Sequence, residues 1–112
     1  EIQTYVETYF PDHDIVQVVR DQDDFKDTYD VILSGAISLG FDRDYKILEL
    51  SSMSGLPDKV IPEDILVYVH ANYPQQFIVE WDLDRKSQHI DLDNGLELHF
   101  SKEGEFLRID DD

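Results

Sequence analysis

Apolar and polar residues alternate with period two on both sides of Asn94-Gly95: Ile90 and Leu92 interleave with His89, Asp91 and Asp93, and Leu96, Leu98 and Phe100 with Glu97 and His99. Such alternation around an Asn-Gly step predicts a β-hairpin. Parity chooses its loop. A two-residue turn would set Asp93 opposite Leu96, polar against apolar. A three-residue loop, Asp93-Asn94-Gly95, sets Leu92 opposite Leu96 and keeps the apolar set on one face. Gly95 then takes the left-handed position of a type I turn with a bulge. A second turn, Ser101 to Gly104, returns the chain through Phe106, Leu107 and Ile109. His89 to Asp110 therefore reads as three strands with one apolar face.

The pattern occurs earlier without a gap. Val31, Leu33, Ile37, Leu39, Phe41, Leu48 and Leu50 precede Ile90, Leu92, Leu96, Leu98, Phe100, Leu107 and Ile109 by 59 positions. Upstream, Ile2, Tyr5, Val6, Pro11, Ile15, Val16 and Asp21 recur 63 positions later as Ile65, Tyr68, Val69, Pro74, Ile78, Val79 and Asp84. Two offsets on one chain imply a tandem duplication, with one connection four residues shorter in the second copy. That connection is Asp21 to Thr28, against Asp84 to Ser87.

Helical spacing of Ile2, Tyr5, Val6, Tyr9 and Phe10 predicts a helix stopping before Pro11, and a second helix is expected over about 63–73. A strand follows each, Ile15 to Arg20 and Phe77 to Leu83, the latter carrying Trp81. Ser51 to Gly55 is the break between copies. The expected class is α+β: a single compact domain over residues 1–112, built of repeat one (1–51) and repeat two (56–112), each a helix laid on a four-stranded antiparallel sheet. One sheet face is then covered and the other open. On the open face of the second repeat stand His89, Asp91, Glu97, His99, Glu105 and Arg108. The second helix has a Pro- and acid-rich lead-in, Leu56 to Asp64, without a counterpart in the first copy, so the natural chain is expected to extend upstream of Glu1.

Composition narrows the function. With 26 acidic residues against 9 basic, the formal charge is -17. Phosphate binding needs clustered Lys and Arg, so nucleic acid is excluded as a partner, and an anionic membrane surface is disfavoured too. A protein with a cationic surface, a divalent cation, or solubility alone remain consistent with the charge. There is no cysteine, hence no disulfide, thiolate metal site or Cys nucleophile. No apolar run reaches the roughly 18 residues of a membrane span.

The helices that end on an aromatic-Pro step (Phe10-Pro11, Tyr73-Pro74), the Ile-Val strands after them, and the hairpins closing on Phe41-Asp42 and Phe100-Ser101 resemble the PepSY-like family. These are small bacterial envelope proteins similar in fold to β-lactamase-inhibitor protein. The resemblance spans nearly the whole chain and rests on structural motifs. It implies a periplasmic or cell-surface location and a binding or inhibitor-like module without established chemistry. The chain departs from the pattern at Ser101, where the first copy has Asp42.

Two surfaces are candidates for binding. His89 and His99 are expected to face each other across the hairpin, with Asp91 and Glu97 as the next pair, a ligand set that suits zinc or copper. The blander reading is a pair of wet-face histidines without a ligand. His13 and His70 have no comparable partners. The longer connection offers Asp21, Asp23, Asp24, Phe25 and Asp27, an aromatic anchor rimmed by charge that suits a protein partner. Its bland reading is a tolerated insertion. Acidic pairs at Asp21 with Asp23 and Asp24, Asp42 with Asp44, Asp82 with Asp84, and Asp91 with Asp93 lack EF-hand spacing; turn chemistry accounts for them, with weak calcium binding as the alternative. No nucleophile, base and orienter set is brought together, no phosphate-cradling loop exists, and nothing calls for a cofactor. A non-enzymatic extracytoplasmic binding module is the expected function, and a metal-binding envelope protein the alternative.

Overall fold

Two aromatic-Pro steps end two helices in the same way. At Phe10 the backbone leaves the helix at φ -134, ψ 56, and at Tyr73 at φ -136, ψ 58. In each case the amide N–H of the aromatic residue still bonds four residues back, Phe10 to Val6 O and Tyr73 to Val69 O, both at 2.7 Å. Proline has no N–H with which to continue. The structure, a computed structural model, describes residues 1–22 and 27–111. It contains α1 (Ile2–Tyr9), β1 (Ile15–Gln22), β2 (Asp27–Leu33), β3 (Ile37–Asp42), β4 (Ile47–Ser52), a 3-10 turn (Asp58–Val60), α2 (Glu63–Asn72), β5 (Ile78–Leu83), β6 (Ser87–Leu92), β7 (Leu96–Ser101) and β8 (Phe106–Asp111). The class is α+β, and the chain divides into two compact units, Glu1–Leu50 and Ser51–Asp112.

In the first unit β1 pairs β2 and β2 pairs β3, both antiparallel. In the second, β5 pairs β6, β6 pairs β7, and β7 pairs β8, again antiparallel. Positions related by the two sequence offsets stand at matching places. Val18 opposes Val31 as Trp81 opposes Ile90, and the ladder is interrupted between Ile15 and Gln17 as between Ile78 and Glu80. Tyr5 meets the edge of Phe41 at 5.3 Å and 87°, and Tyr68 that of Phe100 at 5.5 Å and 85°. Gly95 has φ 91 and its N–H bonds Leu92 O, so the three-residue loop predicted from parity is the one adopted.

Each helix lays its apolar stripe on one sheet face. Val6 and Phe10 are buried with Val31, Leu33, Leu39 and Phe41 in the first unit; Ile65 and Val69 with Ile90, Leu92, Leu98 and Phe100 in the second. A fully buried aliphatic or aromatic side chain of this kind contributes about 1.5–3 kcal/mol. The second unit is the better covered. Ile78 and Trp81 are each 5% exposed, whereas Ile15 and Val18 at the matching places are 38% and 48% exposed. Leu56 supplies part of that cover: its N–H bonds Ile78 O at 2.8 Å, and both it and Ile61 are buried.

Two expectations are corrected. Leu107, assigned to the apolar face, is 53% exposed. The β7–β8 register shifts between His99↔Arg108 and Phe100↔Phe106, so Leu107 is the extra residue of a bulge and turns away from the core. The connection Asp21 to Thr28 begins and ends in strand, because the ladder continues through Asp21↔Thr28 and Gln22↔Asp27. Asp23, Asp24 and Phe25 lie outside the described residues.

Candidate functional site

The β6–β7 hairpin positions the histidines. His89 directly opposes His99, and Asp91 opposes Glu97. The rings lie 5.2 Å apart at 28°. Register carries both pairs across the other two strands of the unit: one row runs Asp82, His89, His99, Arg108, and the next runs Glu80, Asp91, Glu97, Asp110. Strands stand about 4.8 Å apart, so side chains along a row are near neighbours. All eight residues face away from α2, because Trp81, Ile90, Leu98 and Ile109, one position along each strand, form the opposite face. Five carboxylates and one guanidinium thus share an open sheet face.

The two histidines meet as rings and serve different neighbours. His89 Nδ1 lies 3.6 Å from Asp82 Oδ2, and its Nε2 lies 4.0 Å from Asp84 Oδ2, on the β5 side. His99 Nε2 lies 3.1 Å from Glu97 Oε1 and 2.8 Å from Asp110 Oδ2, on the β8 side. The hairpin pattern foresaw the pairings of His89 with His99 and of Asp91 with Glu97, but not Asp110, which arrives from β8. Period two from Arg108 puts Asp110 on the same face, but its register opposite Glu97 depends on the bulge. Beside the hairpin turn, Met53, Val79, Asp91, Asp93 and Glu97 line a groove of ≈ 340 Å³.

Turn aspartates have local work. Asp42 Oδ1 accepts the N–H of Asp44 at 2.8 Å and of Lys46 at 3.0 Å. At the matching turn the N–H of Glu105 donates to Ser101 Oγ at 3.0 Å, so the Asp-to-Ser departure keeps one of the two bonds. Asp93 Oδ1 accepts the Phe77 N–H at 2.9 Å. Asp84 Oδ1 accepts the N–H groups of Lys86 and Ser87, which hold its carboxyl below the usual carboxylate range. A lowered folded-state pKa stabilises above the unfolded value and is lost as pH falls through the folded one. Asp84→Asn should therefore lower the melting temperature at pH 7, and its deficit against the parent should shrink as melting is repeated below about pH 4. A deficit independent of pH would show that charge is not what these N–H groups recognise.

At the acidic hairpin, Asp27 is bound by Arg20 through two contacts, Nε to Oδ1 at 3.0 Å and Nη2 to Oδ2 at 3.1 Å, and that hydrogen bonding lowers its pKa. The guanidinium also sits 5.5 Å from the Tyr29 ring, which stacks on Tyr45. His13 Nδ1 is 2.8 Å from Ser34 O, and His70 Nε2 lies 4.0 Å from Asp58 Oδ2.

A family profile described as "Putative beta-lactamase-inhibitor-like, PepSY-like" matches residues 1–49 and 27–108. The chain belongs to the PepSY-like family. Similar solved structures agree in fold over 97% of the chain. One, described as a "putative calcium-regulated periplasmic protein" of Bacteroides thetaiotaomicron, is 25% identical with a TM-score of 0.93 over 87% of its own length. A periplasmic protein of unknown function from Bacteroides vulgatus is 30% identical, TM-score 0.91, with 88% of that chain covered. Another from the same organism, of the DUF2874 family, is 30% identical, TM-score 0.89, with 87% covered. No curated protein matches at a significant level. The neighbours carry the periplasmic location expected from the sequence, and no helix among the described residues is long and apolar enough to cross a membrane.

Proposed function

We propose that this PepSY-like chain is a non-enzymatic, extracytoplasmic binding module that works through the open sheet face of its C-terminal unit, against a protein partner of cationic surface. The observation that carries the reading is the pair of register rows, in which Glu80, Asp82, Asp91, Glu97 and Asp110 share a face with two histidines and one guanidinium, that of Arg108, among the described residues. Like charges held on adjacent strands repel one another, and a cationic partner relieves that repulsion while gaining from the field. Rigid strands carry the charges, so little ordering entropy is spent on docking. The inhibitor-like description of the family agrees with a role in binding. The hairpin Asp21 to Thr28 is the competing surface, with Asp27 already engaged by Arg20.

Capture by cross-linking from the source organism's envelope fraction, followed by mass spectrometry, tests the choice of surface. The parent chain and a variant with Asp21 to Thr28 shortened to Asp84-Arg85-Lys86-Ser87 should recover the same basic protein. Capture should weaken as salt rises, because exposed charges are screened within about 10 Å at 0.1 M. A variant with Glu80→Gln, Asp91→Asn and Glu97→Gln should lose it. Loss in the shortened hairpin with retention in the neutralised face would move the binding surface to the hairpin.

A second reading, cation handling, is favoured by the neighbour described as calcium-regulated. If the same regulation holds here, millimolar calcium should reduce capture beyond the effect of monovalent salt at equal ionic strength.

A further inference from the structure

We propose that Glu97, His99 and Asp110 form a site for a divalent transition cation, with His99 Nε2 as its nitrogen ligand. One ligand atom from each residue, an imidazole nitrogen and two carboxylate oxygens, lies within 4.8 Å of the other two. Zinc holds such ligands at about 2.0–2.2 Å, which sets tetrahedral neighbours about 3.4 Å apart. Nε2 is 2.8 Å and 3.1 Å from the two oxygens, so those two separations need to open by about 0.3–0.6 Å to admit the ion.

The arrangement is more than a patch of acids. Its centre is an imidazole whose side chain is 12% exposed, while the neighbouring His89 ring, 5.2 Å away, is directed at other carboxylates. One Nε2 can direct one N–H at one acceptor, so two carboxylates converging on it share a single donor. A cation in place of that proton satisfies all three groups. Outer support is present as well. Arg108 Nε lies 3.6 Å from Asp110 Oδ1, the oxygen not facing His99, where it can orient the carboxylate. The nitrogen and low oxygen count select the class: calcium takes six to eight oxygens, whereas zinc, nickel or manganese accept a histidine with carboxylates.

The site differs from the paired-histidine one that the hairpin suggests. His89 turns its two nitrogens toward Asp82 and Asp84, and Asp110 takes its place. Metal binding needs no protein partner, so this inference stands or falls apart from the function proposed above.

Isothermal titration of chelator-stripped protein with zinc chloride at neutral pH tests it. One zinc per chain should bind, with a rise in melting temperature by mass action. His99→Ala and Asp110→Asn should each weaken binding at least tenfold, and His89→Ala should leave affinity within threefold. Because Asp110 lies on the last strand and is half-exposed, its variant keeps the test open if His99→Ala folds poorly. Absence of zinc binding in the parent would overturn the proposal. So would equal loss in His89→Ala, or calcium binding that survives His99→Ala and is displaced by zinc.

Discussion

Gln88→Leu should destabilise the C-terminal unit by about 2–3 kcal/mol, which chemical denaturation will read as a lowered midpoint with unchanged slope. Gln88 is almost fully buried, and its side chain closes a three-way network. Its Oε1 accepts the Trp81 Nε1–H at 3.0 Å, and its Nε2 donates to Ser101 O and Lys102 O, both at 3.1 Å. Leucine matches the volume and removes every partner at once. The indole N–H, buried with Trp81, then has nothing to donate to, and an orphaned buried donor costs about 1–3 kcal/mol. The two carbonyls belong to the β7–β8 turn, so the loss should also loosen that turn, seen as faster amide exchange at Gly104 and Glu105. A companion, Gln88→Leu with Trp81→Phe, removes the orphan as well as its acceptor and should recover part of the loss. Recovery greater than the cost of the Gln88 change would show that the network opposes folding.

Gly104→Ala should cost about 2–4 kcal/mol, where Gly95→Ala costs about 1. Both glycines have positive φ, 94 and 91, so both substitutions strain the backbone alike. They differ in what a methyl group would meet. At Gly95 nothing lies within 4 Å, whereas at Gly104 a Cβ would stand 2.8 Å from Asp64 Cβ on α2. That atom is fixed to the helix backbone and cannot swing aside, so the helix or the turn must move. The difference between the two melting curves isolates the clash, since the backbone term is common to both. Equal costs would mean that α2 yields at Asp64 without penalty. Tyr45, at the place matching Gly104 in the first unit, has φ 65, a value a side chain tolerates in the left-handed region.

Local chemistry made much of the fold legible in the chain. The period-two runs around Asn94-Gly95 fixed the hairpin, its three-residue loop and the pairing of His89 with His99, because a one-residue slip would put every apolar side chain in water. The proline after each helix marked its end, and the offset of 63 led to equivalent ladder interruptions at Ile15/Gln17 and Ile78/Glu80. Non-local geometry was not legible. Leu107 looked like a core residue because parity carries no information about a bulge on the neighbouring strand. Nothing local to Gln88 marks its role, since only packing brings its Oε1 to the Trp81 indole N–H. The acidic residues at the turns, indistinguishable in sequence from ligands, are in part spent on backbone N–H groups. For the candidate site the sequence determined which residues share a face, which period two dictates within a hairpin. Tertiary structure alone decided that His99 turns to Asp110 and His89 to Asp82, because which way a ring nitrogen points is set by the strand on its far side.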